Sequence, residues 1–294
     1  MTLAAEGNRP ALADLPLHEP ALYNPHLLGR DELQELFVAR TDLLERVLEG
    51  IREADGRKSL QHRLLVGQRG MGKTMFLRRL QLAIEQDEAL NSRWLALTFP
   101  EEQYGVALLS DFWFNCLDAL SDLLERAGRT EDAEGLDEEL EQLKEGSEEQ
   151  RTAGALALLT DFSQRTDRRL ILLIDNVDLI FDRVKSEHWT LREVLSSNGR
   201  LLFIGASSRV LEATYEYDQA FYDFFQVHYL EGLDLEATRS LLLGYAGRLE
   251  NAEVRRIVEE DPARIQALHT LTGGNPRTLT LLYKVLSRGL EGDV

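Results

Sequence analysis

Residues 67–74 read G-Q-R-G-M-G-K-T, and this octapeptide decides the fold of the chain. It fits the pattern G-x-x-x-x-G-K-[ST], in which a glycine-rich loop joins a strand to a helix. Its flanks agree with that pattern. The apolar run at 62–66 is typical of a strand, and residues 75–84 have the apolar spacing of a helix. The stretch therefore predicts a loop that binds nucleotide phosphates.

Each part of this loop has a physical role. Glycines let the backbone wrap closely around phosphates with its N–H groups pointing inward, and the following helix N-terminus adds partial positive charge. Lys73 is predicted to reach the β- and γ-phosphates, and Thr74 is predicted to ligate Mg²⁺. The predicted cofactor-binding residues of this stretch are Gly67, Gln68, Arg69, Gly70, Met71, Gly72, Lys73, Thr74 and Met75.

Length and composition limit the class of protein. A chain of 294 residues can hold one α/β domain and a smaller companion. Its one cysteine, Cys116, excludes a disulfide framework and suits a reducing cytoplasm. No apolar run approaches the roughly 18 residues of a membrane span, and the N-terminus lacks a basic-then-apolar signal. The sequence therefore predicts a cytoplasmic protein without a membrane segment.

The net charge of −18 is spread unevenly. Residues 121–150 carry twelve acids against three bases, which is −9 and half of the total. Two interpretations stay open: a solvated helical hairpin, or an acidic docking surface for a basic protein partner. Because the chain offers no basic stripe for phosphates, direct DNA binding by this chain alone is not expected.

The sequence divides into three parts. Residues 1–26 hold four of the seven prolines and are predicted to form an extended or disordered arm. Residues 27–232 are predicted to form the core, with an acidic helical insertion at about 121–150. Residues 233–294 contain only helical patterns and have the size of a lid.

The core has the pattern of a parallel sheet. Its apolar runs lack alternation and are separated by helices, which is typical of strands covered on both faces. These runs lie at 62–66, 93–99, 170–174, 201–206 and 225–230.

Asp175 ends the apolar run at 170–174, and this position predicts the other half of the nucleotide site. A carboxylate there would lie across from the phosphate loop and hold Mg²⁺ through water, unless it is an ordinary helix N-cap. Many ATPases carry a glutamate next, but here the residue is Asn176. Its amide can orient a water but cannot take its proton, although Asp178 could assist. Hydrolysis is therefore predicted to be slow or conditional.

Two further positions are candidates for contacts with the γ-phosphate. Ser207 or Ser208, after the fourth strand, can hydrogen-bond the phosphate or the attacking water, or can form a simple strand-end turn. Arg277 lies in the first turn of the last predicted helix, where a helix dipole favours acids. A phosphate partner would account for this arginine, although Asn275 and Pro276 alone would explain the segment as a helix start.

These elements in this order resemble P-loop ATPases of the AAA+ and STAND type, especially the replication-initiator (origin-recognition) and signalling STAND branches. The similarity covers roughly residues 27–290. It implies ATP and Mg²⁺ as ligands and a parallel five-stranded P-loop NTPase sheet of order 5-1-4-3-2, flanked by helices and followed by a C-terminal helical lid.

Three motifs carry this resemblance. Residues 37–44, F-V-A-R-T-D-L-L, are similar to F-V-G-R-E-x-E-L, which implies that Val38 and Arg40 border the base. Residues 175–178, D-N-V-D, are similar to D-E-x-D. Residues 274–277, G-N-P-R, are similar both to an initiator-type second sensor carrying Arg277 and to the G-x-P motif of STAND lids, which implies that Pro276 contacts the nucleotide.

Two absences narrow the function. No N-K-x-D motif is present, which favours ATP over GTP. No arginine lies between Arg209 and the fifth strand, where AAA+ rings usually keep a finger that acts on the neighbouring subunit, although Arg209 or Arg183 could substitute. A constitutive hexameric motor is therefore disfavoured, while oligomerisation on ATP binding stays open.

Two functions remain after these arguments. One is an ATP-dependent regulatory switch in which nucleotide sets the lid angle and controls a protein partner. The other is a DNA-transaction ATPase, a loader or initiator, that works with a DNA-binding partner or domain. A degenerate scaffold is disfavoured, because a dead site has no physical need for Lys73.

Overall fold

The computed structural model describes residue 25 and residues 28–54, 60–99 and 105–291, with side chains as far as 283. Its strands are β1 (Arg63–Val66), β2 (Trp94–Thr98), β3 (Arg169–Ile174), β4 (Leu201–Ser207) and β5 (Gln226–Tyr229). The helices of the core are α1 (Arg30–Leu36), α2 (Thr41–Glu53), α3 (Lys73–Gln86), α4 (Glu88–Asn91), α5 (Leu109–Arg126), α6 (Thr130–Leu143), α7 (Glu148–Arg165), α8 (Val177–Arg183), α9 (His188–Ser197) and α10 (Glu212–Tyr215). Four more follow β5: α11 (Leu235–Arg248), α12 (Ala252–Glu260), α13 (Pro262–Thr272) and α14 (Pro276–Glu291).

The five strands form one sheet in the order β2-β3-β4-β1-β5. Every neighbouring pair is parallel. Counted from the other edge, this is the predicted order 5-1-4-3-2, so the predicted fold is confirmed. Because all strands run the same way, the loops after β1, β3 and β4 meet at one edge of the sheet.

Strands β1 to β4 are buried on both faces, which explains their apolar runs, whereas the edge strand β5 is partly exposed. In β3, Leu170, Leu172 and Ile174 face a core cluster with α5, α7, α8 and α9. Ile171 and Leu173 face the opposite cluster, which contains α2 and α3. Alternate residues of one strand therefore pack into two separate cores.

The acidic region 121–150 is helical. It comprises the end of α5, all of α6 and the beginning of α7. Three apolar side chains of α6, Ala133, Leu136 and Leu140, are buried in the core cluster of α5 and α7. The acids of α6 are therefore carried on a helix that is anchored by a narrow apolar face.

The predicted arm 1–26 lies outside the described residues apart from Pro25. Within the described ranges, no helix combines the length and apolar character that a membrane crossing needs.

A third core cluster joins the four last helices to α1. Leu33 and Leu36 of α1 pack there with residues of α11 and α14, and Arg248 of α11 forms an ion pair with Glu32. Helix α1 therefore packs with the helices that follow the sheet, although it precedes the sheet in the chain.

A close backbone contact joins the segment after β5 to the start of α14. The N–H of Leu233 donates to the carbonyl of Gly274 at 2.8 Å, and Gly274 has a φ of +69°. A Cβ on Gly274 would lie 2.0 Å from the carbonyl oxygen of Leu233. Only glycine fits at this position, since both the left-handed backbone and the close approach exclude a side chain.

His62, just before β1, is buried. Its Nε2 lies 3.0 Å from the carbonyl oxygen of Leu195 in α9, and its Nδ1 accepts the N–H of Phe203 in β4 at 3.1 Å. Accepting at Nδ1 requires the neutral imidazole. Burial lowers the pKa of His62 to about 4. The ring therefore ties three elements together in its uncharged form.

Candidate nucleotide-binding site

A cavity of about 620 Å³ opens where β1, β3 and β4 end. Its phosphate half is lined by Arg69, Gly70, Gly72, Lys73, Thr74, Met75, Asp175, Asn176, Asp178, Leu179 and Ser208. Its lid half is lined by Pro25, Leu36, Phe37, Val38, Ala39, Arg40, Leu233, Leu241, Tyr245, Pro276, Arg277 and Thr280. The volume lies within the range of small-molecule and cofactor sites.

Lys73 is the buried cation of the phosphate half. Its Nζ donates to the carbonyl of Gly67 at 2.6 Å and to that of Gln68 at 3.2 Å. Burial lowers the pKa of Lys73, while the charges of Asp175 and Asp178 oppose this effect. A phosphate oxygen would be a stronger partner for this ammonium than two neutral carbonyls. The lysine is therefore positioned to exchange loop carbonyls for phosphate.

Thr74 and Asp175 face each other across the phosphate half. The hydroxyl of Thr74 donates to the carboxylate of Asp175, and the N–H of Asn176 donates to the other oxygen of that carboxylate at 2.8 Å. One hydroxyl and one carboxylate are hard oxygen ligands that suit Mg²⁺. The described residues contain no group of three His, Cys, Asp or Glu side chains for a metal. The donor set thus fits an ion that keeps waters and phosphates as its other ligands.

The residues after Asp175 are arranged around the start of α8. Asn176 precedes the helix with a left-handed backbone (φ +50°). Asp178 in the first turn accepts the hydroxyl of Ser208 at 2.6 Å and its N–H at 3.4 Å. Both residues line the cavity. The Asp178 carboxylate is therefore held by the end of β4 rather than pointing freely into the cavity.

Ser207 and Ser208 have different surroundings. Ser207 is the last residue of β4, and its hydroxyl donates to the carbonyl of Arg209 and accepts that residue's N–H at 3.2 Å. Its side chain is fully buried and does not line the cavity. Ser208 does line it. Ser207 therefore has the strand-end turn that was the alternative to a γ-phosphate contact, and Ser208 is the serine that faces the cavity.

Arg40 connects the two halves. One of its guanidinium nitrogens donates to the carbonyl of Met71 in the phosphate loop, and the other donates to the carbonyl of Glu231 after β5, both at 2.6 Å. Burial lowers its pKa. The resemblance implied that Arg40 borders the base. In this structure its side chain lines the cavity and holds two backbone segments that are 160 residues apart.

The lid half also contacts the phosphate loop directly. The amide nitrogen of Asn275 donates to the carbonyl of Arg69 at 3.2 Å, and the N–H of Arg277 lies 3.3 Å from the carbonyl of Gly70. Asn275 also caps α14, because its side-chain oxygen accepts the N–H of Arg277 at 3.0 Å and that of Thr278 at 3.2 Å. The cap and the contact with the loop are therefore made by the same side chain.

Most of the residues predicted to bind nucleotide meet at this cavity. Those that line it are Val38, Arg40, Arg69, Gly70, Gly72, Lys73, Thr74, Met75, Asp175, Asn176, Asp178, Pro276 and Arg277. Three others, Gly67, Gln68 and Met71, lie beside it and accept hydrogen bonds through their carbonyls.

Sequence reasoning missed several residues of the lid half. Leu241 and Tyr245 lie one turn apart on α11, Leu36 ends α1 and Thr280 lies on α14. The i, i+4 spacing of Leu241 and Tyr245 marks an apolar helix face. Nothing in that spacing indicates that the face closes a cavity, since the partner surface comes from the other end of the chain.

The two arginines considered as substitutes for a finger are engaged elsewhere. Arg209 pairs with Asp182 of α8 at 2.6 Å, and Arg183 donates to the carbonyl of Val106 at 3.2 Å. Either side chain would have to leave these partners to act on another subunit.

The chain is similar to a known protein family. A family model described as "AAA ATPase domain" matches residues 36–205, which is more than half of the chain. The matched stretch includes the phosphate loop, Asp175 and the strands around them. No curated protein matches the sequence.

Similar solved structures include proteins of Aeropyrum pernix. The ORC2 protein in its ADP form has a TM-score of 0.56 at 12% identity, covering 86% of this chain and 63% of that chain. ORC2 in its ADPNP-ADP complexes has a TM-score of 0.57 at 13% identity, covering 92% and 66%. The ORC1 protein in complex with DNA has a TM-score of 0.53 at 14% identity, covering 88% and 64%. The present chain thus spans less than two thirds of these proteins, and the likeness is one of fold.

Proposed function

This chain belongs to the AAA ATPase domain family, and we propose that it works as a nucleotide-controlled switch that binds ATP with Mg²⁺ and hydrolyses it slowly. In this proposal residues 27–232 form the ATPase core, with the acidic helical insertion at about 121–150. Residues 233–294 form a lid whose position depends on the nucleotide. A protein partner, rather than DNA bound by this chain alone, responds to that position.

One observation carries the proposal: the lid touches the phosphate loop itself. Asn275 and Arg277 contact the carbonyls of Arg69 and Gly70, and Arg40 ties the carbonyl of Met71 to that of Glu231, just before the lid. A change in the loop on phosphate binding therefore alters contacts that hold the lid. This is the differential contact that a ligand needs in order to shift a conformational equilibrium.

The roles within the site follow from its donor and acceptor groups. Lys73 binds the β- and γ-phosphates, and Thr74 with Asp175 holds Mg²⁺, which would neutralise phosphate charge when bound. Val38 borders the base, and Pro276 packs against the nucleotide. Arg277 closes on the γ-phosphate, which ADP lacks.

Slow hydrolysis is supported by the groups that follow Asp175. Asn176 has no basic atom to accept a proton from water, and the carboxylate of Asp178 is held by Ser208. The wild-type protein should therefore turn over below about 1 s⁻¹, the low end for ordinary enzymes. Introducing a base at the first position, in Asn176→Glu, should raise the rate.

Turnover measurements test this part of the proposal. Steady-state phosphate release would be compared between wild type, Asn176→Glu and Asp178→Ala. Fast hydrolysis by the wild type that survives Asp178→Ala would show that another base exists and that the assignment is wrong. Mg·ATP binding, measured in parallel, separates a loss of chemistry from a loss of the site.

Lid behaviour tests the switch. Hydrogen exchange over residues 235–283 would be measured with a non-hydrolysable ATP analogue and with ADP. The ATP analogue should protect the lid more strongly, and Arg277→Ala should remove the difference. Arg256→Ala, an exposed arginine of α12, is the matched control and should retain it. Identical exchange in both nucleotides would reduce Arg277 to a surface arginine beside a helix cap.

The alternative function is a DNA-transaction ATPase that loads or remodels complexes on DNA. The similarity of fold to the ORC1 protein in complex with DNA favours keeping it. The two functions separate in one assay: addition of duplex DNA should leave the turnover of a switch unchanged and should accelerate that of a DNA-coupled ATPase. The net charge of −18 favours the first outcome.

A further inference from the structure

An aromatic surface is exposed on the side of the core formed by α9 and the segment between β4 and β5. Tyr217 is 85% exposed and Trp189 is 61% exposed, and Tyr215 and Tyr222 are also exposed. Large aromatic side chains gathered on a surface are uncommon in monomers, and they mark interaction sites when they form one patch.

Contacts place helix α9 against the segment that carries the three tyrosines. The rings of Tyr217 and Tyr222 are 5.3 Å apart in an edge-on arrangement. Arg192 of α9 donates to the carbonyl of Tyr222 at 3.3 Å, and Trp189 lies one turn before Arg192 on the same helix. The ring of His188, next to Trp189, packs against Phe221 at 5.4 Å. We name these four residues, Trp189, Tyr215, Tyr217 and Tyr222, together with Glu216, Asp218 and Asp223, the aromatic–acidic surface.

The segment that carries the three tyrosines is acidic. Residues 212–223 read E-A-T-Y-E-Y-D-Q-A-F-Y-D, with four acids and no base. Glu212 lies 3.8 Å from Lys185. Glu216, Asp218 and Asp223 are exposed, and within the described residues they have no ion-pair partner. Carboxylates thus alternate with rings along a short stretch of surface.

The molecule already holds one guanidinium at the edge of this surface. Arg192 stacks over the ring of Phe224 at 5.1 Å while it donates to the carbonyls of Ala220 and Tyr222. A ring face and nearby oxygen acceptors are the two features that an arginine side chain needs. The exposed rings of Tyr217 and Tyr222 and the carboxylates of Glu216, Asp218 and Asp223 offer the same combination of ring faces and oxygen acceptors.

We propose that the aromatic–acidic surface is a docking site for a basic segment, rich in arginine or lysine, of a partner protein. Its rings offer cation–π contacts, and its three carboxylates without ion-pair partners offer charge-assisted hydrogen bonds. Nucleic acid is a poor occupant, because its phosphates would be repelled. A second copy of this chain is also a poor occupant, since two chains of net charge −18 repel each other.

The inference does not depend on nucleotide binding. The acidic face of α6 has comparable charge but carries no exposed aromatic residue, and this difference makes it a control within the same molecule. Exposed cation–π contacts are worth about 0.5–1 kcal/mol each, or roughly 2- to 5-fold in affinity. Several such contacts together should make binding to this surface tighter than binding to a surface that is only acidic.

Tryptophan fluorescence provides a local probe of the surface. Of the three tryptophans, Trp94 and Trp113 are 1% and 0% exposed, so acrylamide quenching reports mainly on Trp189. The probe ligand is a synthetic peptide of alternating arginine and glycine, compared with a peptide of alternating glutamate and glycine, without nucleotide. The arginine peptide should shield Trp189 from acrylamide in a saturable way, and the glutamate peptide should not.

Two double variants with equal charge change decide between a specific and a general acidic effect. Glu216→Lys with Asp218→Lys should weaken binding of the arginine peptide at least about 10-fold. Glu134→Lys with Glu138→Lys, on the exposed face of α6, should change it less than about 2-fold, because that face carries no aromatic residue. Tyr217→Ala, which keeps all charges, should weaken it about 2- to 5-fold.

Four results would overturn the proposal. Equal losses in the two double variants would mean that the peptide senses only net charge. Undiminished binding by Tyr217→Ala would remove the aromatic component, and no shielding of Trp189 by the arginine peptide in the wild type would place the peptide elsewhere. Shielding of Trp189 on raising the protein concentration alone would identify a second copy as the occupant. Thermal unfolding of each variant, expected to match wild type because the residues are exposed, confirms that the fold is intact.

Discussion

The phosphate half of the cavity is built from side chains that follow three neighbouring strands, whereas the lid half is assembled from three distant parts of the chain. Lys73 and Thr74 begin the helix after β1, Asp175 follows β3 and Ser208 follows β4. The lid half takes its walls from around residues 36–40, 233–245 and 276–280. The phosphate half is polar, and the edge of one sheet holds its side chains in place.

The two halves should therefore respond differently to amino-acid substitutions. A side chain of the phosphate half acts on the ligand through its own charge, so its removal should weaken binding without moving the fold. The lid half depends on backbone contacts such as that between Leu233 and Gly274, so a change there should alter the position of whole helices. Four predictions test this contrast.

The largest effect is expected in the phosphate half. Lys73→Ala should weaken ATP binding by about 1,000-fold, roughly 4 kcal/mol, because two charge-assisted hydrogen bonds to phosphate are lost. Titration with a fluorescent ATP analogue measures this. Lys185→Ala, an exposed lysine before α9, is the control and should bind as wild type does. Undiminished binding by Lys73→Ala would contradict the central assignment of the site.

The second prediction concerns the scaffold beneath both halves. The unfolded pKa of His62 is 6.5 and the folded pKa is about 4. Between these values the unfolded chain takes up a proton that the folded chain does not. The stability that depends on a neutral His62 is therefore fully present above pH 6.5 and decreases as the pH falls towards 4, by roughly 3 kcal/mol in total.

Denaturant unfolding of wild type and His62→Gln from pH 7 to pH 4 measures that decrease. Glutamine does not titrate, so the stability advantage of the wild type should shrink by that amount as the pH falls. A constant difference across the range would mean that His62 titrates in the folded protein as it does in the unfolded chain.

The third prediction tests the lid half through its backbone. Gly274→Ala should cost about 2 kcal/mol of stability and loosen the lid, because the added Cβ meets the carbonyl of Leu233 and the left-handed backbone is strained. Hydrogen exchange over α11 and α13 should rise. Gly247→Ala on α11, where a Cβ meets nothing within 4 Å, should be neutral or slightly stabilising. Equal behaviour of the two variants would remove the distinction between the halves.

The smallest effect is expected at the residue that joins the halves. Arg40→Ala should weaken ATP and ADP alike by about 10-fold, roughly 1.4 kcal/mol, because two hydrogen bonds between the loop and the lid segment are lost. Arg40→Lys should not restore binding, since one ammonium cannot replace the planar fork. Calorimetry measures both, with the exposed Arg46→Ala as control. A loss confined to ATP would instead make Arg40 a γ-phosphate ligand.

Much of the fold was predictable because its signals are local. Each buried strand is an apolar run in the sequence. The phosphate-loop motif also identifies the run just before it as a strand. Boundaries were less accurate. The helix predicted at 75–84 begins at Lys73, after a left-handed Gly72, and ends at Gln86. Capping decides such ends, and a cap depends on backbone geometry as well as residue type.

The serine after β4 shows why the site was only partly predictable. The strand was expected to end at 206 but continues to Ser207. Because side chains alternate between the faces of a strand, one residue decides whether a hydroxyl points into the core or towards the cavity. Ser208, rather than Ser207, therefore faces the cavity and contacts Asp178.

The sequence by itself determined the residues of the phosphate half. Through the resemblance that its motifs carry, it also determined the strand order of the sheet. Each of these residues lies at the end of a strand, in the loop after it or at the start of the next helix, so local sequence patterns locate it. Only the tertiary structure decided that Tyr245 and Leu36 share a wall, that Arg40 holds two backbone segments and that Asn275 reaches the phosphate loop. Such contacts depend on how whole helices pack, and packing joins residues whose separation in sequence carries no signal.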